Sequence, residues 1–222
     1  MDDLIKFIKE KYIEDLVSPI DFHKLVIFME FVGVLGLTIK INYLGSIWLE
    51  IGSIEIKNIF NHESDIWKYV TFFQILLAII LVLAISPIYS RLKSDFFQAF
   101  SKIRDLNEYV YKLTSKLRRQ LTGNQALDIF LIQHLSKDLS MRRKKLIRLH
   151  VWGEIFMSCL VVSVIGVTRK INLIDISFGV LFLFILVFIQ WKAYLYYIEK
   201  VLPVALPEKI LIDSKFNSNN EY

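Results

Sequence analysis

The sequence predicts an all-α membrane protein of four spans, with a long cytoplasmic helical hairpin between spans 2 and 3. Three observations lead there. Two apolar runs, Val70 to Tyr89 and Ile176 to Trp191, contain no charged side chain. Two shorter apolar runs, Leu25 to Ile39 and Val151 to Val167, complete the set. Between the second and third runs lies a basic segment, 91–150, whose apolar residues recur with helical spacing. The composition agrees: 55% of the 222 residues are hydrophobic, above the share usual for soluble domains.

Residues 1–19 read as an amphipathic interfacial helix. Leu4, Ile5, Ile8, Tyr12, Ile13 and Leu16 share one side, and Ser18-Pro19 stops it. Acidic residues dominate this opening, so no cleavable signal is expected. Span 1 is assigned to 20–44, with Lys40 snorkelling to the interface. Residues 45–69 form an outer-face loop whose isoleucines follow neither a helical nor a strand period. Span 2, at 70–90, is long enough by itself, since a helix rising about 1.5 Å per residue crosses a ~30 Å hydrocarbon layer in roughly 20 residues. Span 3 covers 151–168, an outer-face turn 169–175, and span 4 176–197. The remainder, 198–222, reads as a cytoplasmic tail in which Pro203 and Pro207 break the helix.

Charge sets the orientation. Segment 91–150 carries 14 Lys and Arg against 5 Asp and Glu, whereas the two outer connections have two basic residues each. Lys and Arg accumulate on the cytoplasmic side, so 91–150 and both termini are expected there, in a bacterial inner membrane.

The stripe Phe96, Phe100, Ile103, Leu106, Val110, Leu113, Leu117 and Leu121 advances in steps of three and four, close to a heptad. Thr122-Gly123-Asn124 interrupts it, supplying a helix stop and a cap for the next helix. A second stripe follows through Leu127, Leu131, His134, Leu135 and Leu139. A two-helix hairpin buries one seam only, so Ile103, Leu106, Val110, Leu113 and Leu117, with Arg118 and Arg119 at the far end, are the expected partner surface. A homo-oligomer or a cytoplasmic protein would cover it. The run Arg142, Arg143, Lys144, Lys145 and Arg148 abuts span 3 and reads as an anchor on anionic headgroups rather than a nucleic-acid site.

Glu30, Glu154, Gln190 and Lys192 are the costly polar groups of the spans. The topology puts them at one depth in the inner leaflet, with Gln74 towards the outer face. Three readings stand: a contact pairing carboxylate with ammonium to fix helix register, an ion or proton pathway, and snorkelling at the interface. Cys159, the sole cysteine, reads as a structural thiol and excludes an intrachain disulfide.

No phosphate-binding glycine loop, nucleophile elbow or zinc-protease motif is present. His23, His62, His134 and His150 are too scattered for metal-ligand spacing. No catalytic residue, cofactor or metal is predicted.

In length, span number, cytoplasmic termini and the basic helical connection 91–150, the chain resembles the membrane subunit of the Kiwa anti-phage defence system. That resemblance implies an oligomeric membrane sensor that recruits a cytoplasmic DNA-binding partner, and it carries no functional residue with it. The expectation is therefore a non-enzymatic sensor or scaffold. A pore-forming membrane effector and an immunity protein against a pore-forming bacteriocin are the alternatives.

Overall fold

The computed structural model describes residues 22–40, 45–53, 70–120 and 125–206, with Lys9; for 37–40, 117–120 and 125–136 it describes the backbone alone. The predicted interfacial helix at 1–19, much of the 45–69 segment, the Thr122-Gly123-Asn124 turn and the chain beyond 206 lie outside the described residues.

All regular structure among the described residues is helical. The elements are α1 (Phe22–Lys40), α2 (Ile47–Ser53), α3 (Phe72–Ile103), α4 (Leu106–Gln120), α5 (Gln125–Arg169) and α6 (Leu173–Tyr196). α6 continues through a π-helical turn, Tyr197–Val201. Three helices, Phe72–Ile103, Lys137–Arg169 and Leu173–Leu206, are long and apolar enough to cross a membrane. The chain is an integral membrane protein with lipid as one of its solvents.

Local chemistry explains the helix ends. Thr71 and Gln74 form a capping box at the start of α3. The Gln74 N–H donates to Thr71 Oγ1 at 3.4 Å, and the Thr71 N–H to Gln74 Oε1 at 2.8 Å. Asn172 caps α6, its Oδ1 accepting the Ile174 N–H at 3.0 Å. Pro87 sits inside α3, a loss of one donor that neighbouring helices make tolerable in membrane segments.

The described chain divides into two compact units. The first, here the membrane unit, takes 22–92 and Val151–Ile189; its apolar core contains Ile27, Phe31, Val32, Leu35, Ile47, Ala78, Ile85 and Val162. The second, the aromatic unit, takes Lys93–His150 and 190–206. Its core gathers Phe97, Phe100, Leu106, Val110, Leu139, Leu146, Tyr194, Tyr197, Val201 and Leu202. Phe97 meets Tyr194 edge-on at 5.4 Å, and Phe100 meets Trp191 at 4.9 Å.

Three expectations change. The stripe from Phe96 onward is not one helix: the chain breaks at Arg104 and Asp105, where Asp105 has φ 40°. Leu106 and Val110 are not an open seam, because they are buried against the chain's own residues after Trp191. Nor does Pro203 break the helix, which runs on to residue 206. Val201, Leu202 and Leu206 are fully buried, and the π turn widens the helix just where the ring of Pro203 would collide with the carbonyl four residues earlier. Within 45–69, Ile47–Ser53 is a helix although its isoleucines lack a helical period; a cap rather than a periodic face holds it, as described next.

Candidate functional site in the membrane unit

α5 is the spine of a buried polar string. Glu154 and Ser158, one turn apart, share the helix face towards α1, whereas Ser163 and Gly166 lie round the helix on the side that meets Trp48 and Asp175. Glu154 is 2% exposed. Its Oε2 accepts from His23 Nε2 of α1 at 2.6 Å, and its Oε1 from the Ser86 hydroxyl of α3 at 3.0 Å. One turn on, the Ser158 hydroxyl donates to Glu30 Oε2 of α1 at 2.6 Å, with the Ile155 carbonyl at 2.7 Å as its alternative acceptor. Next, the Trp48 indole N–H donates to Ser163 Oγ at 2.9 Å, and Ser163 donates to the Cys159 carbonyl at 3.0 Å.

The string ends on Asp175, which is fully buried. Its Oδ1 accepts from the Ser46 hydroxyl and its Oδ2 from the Ile47 N–H at 3.3 Å. Together Ser46 and Asp175 satisfy the opening N–H groups of α2, which is how a seven-residue helix without an amphipathic pattern persists. Glycine is required at 166 by close approach. A methyl group there would lie 2.8 Å from Asp175 Oδ2 and 3.1 Å from Ile47 Cγ2. Separately, Gln74 Nε2 donates to the Leu35 carbonyl of α1 at 2.6 Å.

Paired and hydrogen-bonded in this way, Glu30 and Glu154 tie α1 and α3 to α5, and Asp175 ties α2 to α6. An uncompensated buried charge would instead be strongly unfavourable. One atom stands apart: Glu30 Oε1 is buried with no hydrogen-bond partner among the described residues.

Glu30 and Glu154 share the α1–α5 interface, each with its own partner. Gln190 and Lys192 belong to the aromatic unit, where Gln190 is buried and Lys192 exposed. The partner of Glu154 on α1 is an imidazole, a pairing the sequence did not single out. Ser86, Ser158, Ser163, Trp48, Ser46 and Asp175 also went unmarked. The four-residue step from Glu154 was the available signal for Ser158 alone.

Of the predicted partner surface, Ile103 is 73% exposed, Leu106 and Val110 are buried, and Leu113 is half-buried. The side chains of Leu117, Arg118 and Arg119 lie outside the described residues. In the basic run, Arg142 pairs with Asp138 at 2.7 Å and bonds the Lys200 carbonyl at 2.5 Å. Lys145 sits 5.0 Å over the Tyr196 ring, and Lys144 and Arg148 are exposed. Among the described residues, no three His, Cys, Asp or Glu side chains are grouped as metal ligands. No protein-family model, curated protein or solved structure matches this chain.

Proposed function

We propose that this chain is a non-enzymatic sensor or scaffold of a bacterial inner membrane, acting in anti-phage defence. In this reading α1 supplies the fourth span and both termini are cytoplasmic. The protein assembles as a homo-oligomer, and its aromatic unit holds a cytoplasmic effector. The observation that supports the reading is the contrast in exposed apolar side chains. The membrane unit exposes Phe72, Phe73, Leu83, Leu173, Phe184, Phe188 and many others. Among the described residues of the aromatic unit, the exposed large apolar side chains are Ile103, Tyr111 and Met141. A surface so nearly cleared of apolar groups suits water, and a unit with its own aromatic core is more than a connector between spans requires. Isolated exposed apolar residues on such a surface suit a protein partner.

The test is mild-detergent purification of tagged protein from its native host, followed by native mass spectrometry. The expected product is a homo-oligomer carrying a stoichiometric cytoplasmic protein. Replacing Ile103 and Tyr111 together with Glu should release that protein without changing membrane insertion or the melting temperature. A lone monomer with no partner would sink the reading.

The polar string along α5 favours one further reading, a pore-forming effector. It is tested by ion leakage from proteoliposomes, with loss expected on Glu30→Ala or Gln74→Ala.

A further inference from the structure

The aromatic unit holds a pocket of about 170 Å³ lined by Arg104, Leu106, Tyr109, Tyr194, Ile198 and Glu199. Two backbone irregularities shape it. The chain leaves α3 at Arg104 and turns on Asp105, whose φ of 40° is uncommon for a residue with a side chain. α6 widens into the π turn that carries Ile198 and Glu199, a distortion frequent at functional sites.

Most polar groups of the pocket are engaged. Arg104 Nη1 meets Glu199 Oε1 at 2.9 Å, both side chains about half exposed. The Tyr109 hydroxyl donates to the Ile198 carbonyl at 3.3 Å, a long bond. Tyr194 differs. Its side chain is 1% exposed, yet its hydroxyl has no hydrogen-bond partner among the described residues. It lies close enough to Arg104 for the guanidinium charge to act on it. A buried hydroxyl left unbonded is rare in folded proteins and calls for an explanation.

We propose that this pocket binds one oxyanion, the phosphate of a soluble phosphomonoester or of a lipid headgroup, between Arg104 and the hydroxyls of Tyr194 and Tyr109. Arg104 offers five N–H donors in a planar fork, of which the Glu199 contact engages one, and such a fork matches phosphate geometry. Both phenols can donate. Burial first, and then Glu199, hold the Tyr109 hydroxyl above its ordinary pKa against the opposing pull of Arg104, so it keeps its proton at neutral pH. The volume resembles that of a cavity that admits benzene, which is enough for one phosphate and too little for a whole nucleotide. Glu199 is the resident competitor, and its half-exposed side chain can turn out to solvent. The excess of basic residues in 91–150 raises the local anion concentration. The proposal stands whether or not an effector docks on this unit.

The full chain in detergent is titrated with inorganic phosphate by calorimetry. In parallel it is placed in nanodiscs containing phosphatidic acid, and retained lipid is counted by native mass spectrometry. Saturable binding of one phosphate group per chain is expected. It should weaken about tenfold or more in Arg104→Gln and severalfold in Tyr194→Phe. Glu199→Gln should tighten it, a change that a merely structural ion pair would not produce. Phosphate binding that competes with the lipid identifies a soluble ligand; retention of phosphatidic acid against excess phosphate identifies a headgroup. Absence of saturable binding to either probe overturns the proposal. So does binding that survives both Arg104→Gln and Tyr194→Phe, or lipid retention lost in Lys144→Gln/Arg148→Gln and kept in Arg104→Gln.

Discussion

The two units mix polar and apolar material differently in their interiors. Beside its apolar core the membrane unit buries His23, Ser46, Gln74, Glu154, Ser158, Ser163 and Asp175, whereas the aromatic unit buries Lys93, His150 and Gln190 and closes on Phe97, Phe100, Tyr194 and Tyr197. The proposed placement of the aromatic unit in water accounts for this difference. Lipid tails are as apolar as leucine, so helices in a bilayer gain little by hiding aliphatic side chains and are held by close packing and hydrogen bonds. In water, removing apolar surface is the dominant driving force. The same polypeptide helices change material along their length: α3 passes from Gln74 and Ser86 to Phe97 and Phe100, and α5 from Leu139 and Leu146 to Glu154 and Ser158.

That contrast can be attacked one unit at a time. The largest effect is expected from Phe97→Ala, which empties a site 2% exposed and should cost about 3–5 kcal/mol. Pulse proteolysis of protein in nanodiscs should find new cuts in Lys93–His150 while the membrane unit stays protected. Simultaneous cutting of both units would erase the distinction. Asp175→Ala strands the Ser46 hydroxyl and the Ile47 N–H, at about 2 kcal/mol or somewhat more. Its mark should be faster amide exchange confined to α2 and its neighbours. Gly153→Ala adds a methyl group onto the phenol end of the buried Tyr89, 2.5 Å from Cζ. About 1–2 kcal/mol of overpacking is expected, read as a lower melting temperature with the amide exchange of the aromatic unit unchanged.

The smallest effect belongs to Glu108. A hydrogen bond from Lys112 and its charge hold this carboxyl below the usual range, while the group is fully exposed. A lowered folded-state pKa contributes stability above pH 4.5 and loses it as pH falls through the lowered value. Acid should therefore loosen the first turn of α4 slightly, and Glu108→Gln should abolish that dependence without a measurable change in melting temperature. A large shift would mean that surface charge, not the aromatic core, holds this unit.

The apolar runs made the membrane helices legible, and Phe100, Leu106 and Val110 of the stripe lie in the core of the aromatic unit. What covers that face was hidden. Pro203 and Pro207 read as helix breakers, yet the wider π turn accommodates Pro203 and carries Val201 and Leu202 into the core. The break at Asp105 was equally unreadable, because no glycine or proline announces it. In the site, Glu30 and Glu154 were visible as charges in apolar surroundings. Their serine and imidazole partners were not, since a lone Ser or His in a span has no pattern until the helices meet.

The cap on α2 has a consequence for biogenesis. The Ile47 N–H and the Ser46 hydroxyl wait for a carboxylate 128 and 129 residues downstream. Until the ribosome has delivered Asp175 and the apolar segment that carries it has entered the bilayer, this short helix has no one to close it. Its formation therefore reports the completion of insertion, and an amide probe at Ile47 would time the final step of the protein's assembly.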